Sequence, residues 1–212
     1  MITQVLQRTI TSGVLLALLI VLYYLPPIFF SLLLAGILTY ILAYEWPRLC
    51  PCTGYTKYLI TLCYPILPFV LMVYMNEYYR TLFIHMLILV ASFDVGAYVV
   101  GSRWGKHPLL PRISPGKTWE GVGGGLLLAG VTMWFISWYY SLSYTSFFLV
   151  GATLILCAAG LLGDLFESWL KRRAGIKDSA TILPGHGGFL DRFDSHMATI
   201  FVVYAVRNWL TR

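Results

Sequence analysis

The sequence predicts an all-α fold, a polytopic bundle of about seven transmembrane helices with a cytoplasmic N-terminus. Composition is the first reason: 58% of the 212 residues are hydrophobic and 11% are charged, where an ordinary soluble domain carries about 25% charged residues. Uncharged runs too long for any globular core are the second. The third is that the few basic residues gather on one side of the spans those runs define. Soluble enzymes, disordered chains and secreted disulfide scaffolds are thereby excluded. Only helices or closed barrels satisfy their backbone polar groups in lipid, and runs of this length fit helices.

Thr9 to Tyr44 contains 36 residues without a charge. As one helix it would extend about 54 Å, nearly twice the hydrocarbon core. Pro26-Pro27 breaks it into a hairpin of two short spans. A cleaved signal peptide is the rival for the first span, but no A-x-A site follows and the second span begins at once. Tyr58 to Asn76 makes the third span. Thr81 to Ser102, interrupted only by His85 and Asp94, makes the fourth. Gly121 to Gly163 has 43 uncharged residues, and the polar stretch Ser141 to Ser146 divides it into a second hairpin. The last apolar run, Ser195 to Val206, reaches the ~20 residues of a crossing only by starting near Phe189. Asp191, Arg192 and Asp194 then sit in its first turns, near one membrane face.

Placing Arg8 inside puts 12 of the 15 Lys and Arg residues on that side; only Arg80, Arg207 and Arg212 fall outside. This is a strong positive-inside pattern, so the net charge of +6 reads as cytoplasmic loops and not as nucleic-acid binding. The four cysteines, Cys50, Cys52, Cys63 and Cys157, form no C-x-x-C pair and no zinc spacing. They read as reduced thiols, facing the cytoplasm or buried among helices.

Two cytoplasmic loops carry the polar chemistry. In the first, Gly116-Lys117-Thr118 is not a phosphate-binding P-loop: that motif needs glycine where Pro111 stands, and a preceding strand, which a helical membrane protein is not expected to supply. What remains is a basic loop with the Ser114 hydroxyl three residues from the Lys117 ammonium, suited to a phosphate; a plain positive-inside loop is the competing reading. Gly121, Gly123, Gly124 and Gly125 read as sites of close helix approach.

In the second, a continued helix puts Asp164, Ser168 and Lys171 at i, i+4 and i+7 on one face. Pro184-Gly185-His186-Gly187-Gly188 then leads into a helix start, where backbone N–H groups can converge on an anion. Asp191 and Asp194 follow as neighbours on one helix face. Carboxylates at membrane helix ends need neutralising. Structural salt bridges with Arg192 or Lys171 would do so, and so would a cation. Hard oxygen ligands beside phosphate-binding groups favour Mg²⁺ held by Asp164, Asp191 and Asp194 together with substrate phosphates. Asp94 lines the same cavity or pairs with a base such as Arg103; both readings stand. The residues alone thus indicate a membrane enzyme with a cytoplasmic, Mg²⁺-dependent phosphate site.

The stretch from Ser168 to Asp194 resembles the signature of the phosphatidate cytidylyltransferase (CDP-diacylglycerol synthase) family: S-x-x-K-R, then K-D, then P-G-H-G-G, then D-R-x-D. Ser168, Lys171, Arg172, Lys177, Asp178, Pro184 to Gly188, Asp191, Arg192 and Asp194 meet it. Asp94 to Tyr98 and Ser114 to Gly121 are also similar to the family, so the resemblance covers about residues 90 to 212. The N-terminal half matches only as generic spans, and the chain is shorter than typical members.

The resemblance implies transfer of the cytidylyl group of CTP to phosphatidic acid, giving CDP-diacylglycerol and pyrophosphate. It implies Asp164, Ser168, Lys171, Asp191 and Asp194 as catalytic residues, with Mg²⁺ on the three aspartates. Ser114, Lys117, Arg172, Lys177, His186, Gly187, Gly188 and Arg192 would bind substrate phosphates. Residues 81–212 form the catalytic transmembrane region, with cytoplasmic loops 102–120 and 165–190; residues 1–80 hold the Pro-Pro hairpin and a third span. The expected partners are CTP, phosphatidic acid and the bilayer of a bacterial inner membrane, with no nucleic acid; a homodimer stays open. The alternatives are a CTP-dependent lipid or polyprenol kinase, which would need a base for its hydroxyl acceptor, and a cation-coupled transporter, which leaves the basic loop unexplained.

Overall fold

Two adjacent prolines separate the first two helical segments. Residues 17–24 are helical, and the next helix starts at Pro27, where a missing N–H is harmless because the first-turn N–H groups have no partner within the helix. The computed structural model describes residues 13–14, 17–50, 54–141, 145–180, 182 and 187–210. Residues 9–12 and 15–16 of the first expected span, and Pro184, Gly185 and His186 of the second loop, lie outside the described residues.

Five helices are long and apolar enough to cross a membrane: α1 (Pro27–Leu49), α2 (Gly54–Tyr78), α3 (Arg80–Trp104), α4 (Trp119–Tyr139) and α5 (Ser146–Arg173). A sixth, α6 (Leu190–Leu210), has 21 residues, about 30 Å of helix. Its charged first turn makes it less apolar than the others, yet it runs the same height. Its first residues touch the end of α1, while Asn208 near its far end accepts from Tyr79 between α2 and α3. The all-α, polytopic architecture is the observed one, and the protein is an integral membrane protein.

Two ends of the bundle are distinguishable. At one, Arg80 donates to the carbonyls of Leu22, Tyr23 and Leu25, and the His85 and Tyr140 rings lie 4.8 Å apart. Exposed Tyr23, Tyr24, Tyr78, Trp138 and Tyr139 ring this end. At the other, Tyr55, Tyr58, Trp104, Trp119 and Trp169 are exposed. Two such girdles are what membrane interfaces select, and the basic loops emerge at the second.

Helix association in lipid depends on close packing and interhelical hydrogen bonds rather than on hydrophobic burial. The α3–α4 pair shows the first. A Cβ on Gly124 would lie 2.3 Å from Val100 Cγ2, one on Gly125 2.7 Å from Phe93 Cδ2, and one on Gly121 2.9 Å from the Ala97 carbonyl. These glycines serve helix approach, as the sequence indicates; a Cβ on Gly123 would meet nothing. The α1–α2 pair shows the second: Asn76 donates to the Pro27 carbonyl at 2.8 Å and Ser31 to Glu77 at 2.6 Å.

The loops differ from expectation in two respects. Residues 108–118 contain a two-stranded antiparallel hairpin, β1 (Pro108–Leu110) and β2 (Ser114–Thr118). Strands form here because the segment leaves the bundle and pairs its own backbone groups; Trp119 N closes the hairpin on His107 O at 3.0 Å. Gly116-Lys117-Thr118 lies in β2, and the Thr118 hydroxyl caps α4 by accepting from Gly121 N, so the segment makes no P-loop. In addition, α5 continues through Arg173, which leaves 174–189 as the loop. Lys171, Arg172 and Arg173 in its last turn complement the helix dipole. Among the described cysteines, Cys50 and Cys157 are buried and Cys63 is exposed; Cys52 lies outside the described residues.

Candidate active site

At the basic end, α3, β2, α4, α5 and α6 surround a cavity of about 370 Å³. Its polar wall holds five carboxylates, Asp94, Asp164, Asp178, Asp191 and Asp194, and three cationic side chains, Lys117, Lys171 and Arg192. Phe93, Ala97, Val122 and Leu161 supply the apolar wall. Of the two readings of Asp94, the structure supports the one in which it lines this cavity.

Small residues bring the acids together. A Cβ on Gly163 would lie 2.5 Å from the Asp194 carbonyl, and one on Gly160 3.2 Å from Thr199 Oγ1. At Gly163 only glycine lets α6 approach α5 this closely, which sets Asp194 beside the turn that carries Asp164. Lys117 of β2 forms an ion pair with Asp164, and Ser168 Oγ lies 3.4 Å from Asp164 Oδ1. The helical face expected at Asp164, Ser168 and Lys171 therefore exists.

Lys171 points into a different set of partners. Its ammonium donates to Glu167 Oε2 at 3.0 Å and to Asp191 Oδ1 at 2.9 Å. Glu167 is fully buried, and the Lys171 side chain is 13% exposed. Asp191 also accepts from Ser179 N at 3.1 Å and from Gly188 N at 2.8 Å. Salt bridging thus accounts for Asp191 and Lys171 together, and for Asp164 with Lys117. Among the described residues no three His, Cys, Asp or Glu side chains group as a ready cation site.

Among the described residues of the expected anion nest and the helix start it leads into, the N–H groups of 188–190 already have partners. Gly188 N is taken by Asp191, and Phe189 N and Leu190 N are taken by Glu45 at 2.8 Å each. Orphan N–H groups at a helix start seek an anion, and here the chain supplies its own carboxylates. Gly187 and Gly188 are required for that packing: Gly187 has φ +80°, and a Cβ on Gly188 would lie 2.1 Å from Ser179 Oγ. Neither lines the cavity.

The remaining basic residues divide. Lys117 and Arg192 line the cavity. Arg172 donates instead to the Ile113 carbonyl at 3.2 Å, fastening the hairpin to the end of α5. Lys177 is exposed on the loop, and Ser114 opens β2 outside the cavity wall.

Sequence reasoning missed Glu45, Glu167 and Ser179. Glu45 and Glu167 are both 0% exposed and Ser179 is 2% exposed, in a protein with nine acidic residues. A signal was present for Glu45: it is the first charge after the long uncharged run, set between Tyr44 and Trp46 where an acid is expensive.

A model of the cytidylyltransferase family matches residues 56–210. The phosphatidate cytidylyltransferase of Staphylococcus aureus (strain COL) is 49% identical over 110 residues, covering 52% of this chain and 42% of that protein. That of Bacillus subtilis (strain 168) is 43% identical over 130 residues, with 61% and 48% covered. That of Mycobacterium leprae (strain TN) is 44% identical over 142 residues, with 66% and 44% covered. The chain spans about half the length of the curated relatives it matches. Every residue of the cavity wall falls within the matched segment, and the chain belongs to the cytidylyltransferase family.

Proposed function

We propose that the chain transfers the cytidylyl group of CTP to phosphatidic acid, giving CDP-diacylglycerol and pyrophosphate, at the cytoplasmic face of a bacterial inner membrane. The observation that carries this reading is the coincidence of the charged cavity with the segment matched by the cytidylyltransferase family, in a chain similar to proteins named phosphatidate cytidylyltransferase. The cavity lies at the level of one aromatic girdle, where a lipid phosphate and a soluble nucleotide can meet while acyl chains stay in the bilayer.

The chemistry follows from the charges. A lipid phosphate oxygen attacks the α-phosphorus of CTP in line; the new P–O bond forms as the bond to the pyrophosphate oxygen breaks. Such a transfer needs positioning and charge neutralisation more than covalent help. The nucleophile is already ionised, so no side chain is assigned as a general base. Lys117 and Arg192 bind and orient the phosphates. Lys171 ties α5 to α6, while Asp191 fixes the loop through Ser179 and Gly188.

The donor set fits a divalent cation. Five carboxylates against three cations make the wall net negative, which would repel a triphosphate unless cations come with it. Mg²⁺ is characteristically bound by one or two carboxylates plus substrate phosphates, so a site that is incomplete without substrate suits it. Asp164 and Asp194 would hold it, with Asp191 beside them; bound there, it supplies charge neutralisation for the triphosphate and the leaving pyrophosphate.

The test is incubation of purified protein with CTP, Mg²⁺ and phosphatidic acid, with the lipid product weighed by mass spectrometry. A lipid carrying a cytidylyl group, with pyrophosphate released, supports the proposal. A phosphorylated lipid with CDP released, from diacylglycerol or a polyprenol, would establish the kinase reading instead.

A further inference from the structure

Glu45 lies eleven residues before the family-matched segment begins at residue 56, yet it reaches the start of the helix that carries Asp191 and Asp194. Its side chain is 0% exposed. Oε1 accepts from Phe189 N at 2.8 Å; Oε2 accepts from Leu190 N at 2.8 Å and from Ser179 Oγ at 3.0 Å. Among the described residues no basic side chain lies within ion-pair distance of it. The neutralising charge is the N-terminus of α6, whose unpaired N–H groups and dipole favour an anion.

Local sequence explains how an apolar helix delivers this carboxylate. Residues Ile41–Glu45 form a π-helical turn directly before Trp46-Pro47. Pro47 has no N–H to continue the ladder, and the widened turn takes up the defect. The inserted residue shifts the register, so Glu45 faces the bundle.

The bonds form a chain into the cavity. Ser179 gives its hydroxyl to Glu45 and its N–H to Asp191. Gly188, whose N–H also goes to Asp191, has no room for a Cβ, which would stand 2.6 Å from Glu45 Oε1. Asp191 in turn holds Lys171. Four residues past Leu190, one turn along the same helix, is Asp194. Moving the start of α6 moves Asp191 and Asp194 together.

We propose that Glu45 is a positioning residue of the active site: from α1, outside the matched segment, it fixes the start of α6 and the Ser179 loop so that Asp191 and Asp194 face the cavity. The effect on turnover rests on the cytidylyl-transfer reading; the effect on the α6 start does not.

The experiment uses the full chain in lipid nanodiscs, comparing wild type, Glu45→Gln, Glu45→Asp and Ser179→Ala. Glutamine matches glutamate in size but turns an N–H donor toward an N–H that needs an acceptor. Amide exchange at Phe189 and Leu190 is expected to accelerate by about 10- to 100-fold in Glu45→Gln, the equivalent of one charge-assisted hydrogen bond. With CTP, Mg²⁺ and phosphatidic acid, kcat is expected to fall by a similar factor with both KM values nearly unchanged. Glu45→Asp, which keeps the charge, is expected to recover part of both. Unchanged exchange and kcat in Glu45→Gln would overturn the proposal, as would faster exchange with undiminished turnover. A wild type that makes no CDP-diacylglycerol would refute the cytidylyl-transfer reading, while the exchange measurement would still decide the role of Glu45 at α6. Should Glu45→Gln not accumulate, Ser179→Ala removes a single bond and decides by the same two readouts.

Discussion

Replacing Lys171 by methionine separates the two roles that a buried cation can have in this site. The ammonium bridges two carboxylates, Glu167 Oε2 at 3.0 Å and Asp191 Oδ1 at 2.9 Å, with the Glu167 side chain fully enclosed. Methionine is of similar length and apolar, so the change removes charge with little change of volume. It strands Glu167 without its cation. Removing one partner of a buried pair destabilises by about 3–5 kcal/mol, and solvent screening offers little relief at this depth. At about 1.4 kcal/mol per factor of ten, local opening of α6 from α5 becomes roughly 10²- to 10⁴-fold more frequent.

The assay is limited proteolysis of the 174–189 loop together with thermal unfolding in nanodiscs. Both are expected to report a looser, less stable protein, and turnover is expected to fall with them. Adding Glu167→Gln should restore part of the stability, because it removes the stranded charge; the double-mutant cycle measures the coupling. Lys171→Met with unchanged unfolding and proteolysis would refute the reasoning. So would a double variant that is less stable than the sum of the singles.

Three further outcomes are expected. In a cysteine-free background, single cysteines at Lys106 and Lys177 should be labelled only from the cytoplasmic side and one at Ser141 only from the other; cytoplasmic labelling at Ser141 would break the α4–α5 hairpin. Gly124→Leu should abolish accumulation of folded protein, because even its Cβ would lie 2.3 Å from Val100 Cγ2, whereas Gly123→Ala should leave folding unchanged since its Cβ meets nothing; equal expression and stability of the two variants would contradict the packing. Asp164→Asn and Asp194→Asn should lower turnover by orders of magnitude, since metal stabilisation of a phosphoryl transition state contributes several kcal/mol, with partial rescue by raised Mg²⁺ or Mn²⁺ in at least one; stable, fully active variants would remove the metal from the account.

Much of the fold is legible in the sequence because lipid imposes a simple rule: uncharged runs, their lengths and the side on which basic residues gather define the helices. The glycines of α4 are legible for the same reason, as small residues are what lets membrane helices approach. Asp164, Asp191 and Asp194 stand out because acids at membrane helix ends are expensive. Which oxygen meets which donor is not a local property. That Asp191 takes Lys171 and two backbone amides, or that Glu45 closes the helix start expected to bind phosphate, depends on α1, α5 and α6 meeting in space. The hairpin at 108–118 escaped because the segment has no alternating pattern and sits between helices.

The most direct test of the account follows the phosphorus atoms. Purified protein is given phosphatidic acid and Mg²⁺ with CTP labelled either at the α-phosphate or at the γ-phosphate. Cytidylyl transfer predicts label in the lipid product from α-labelled CTP alone, and labelled pyrophosphate from γ-labelled CTP. Lipid label from the γ-phosphate would contradict the account and make the protein a kinase.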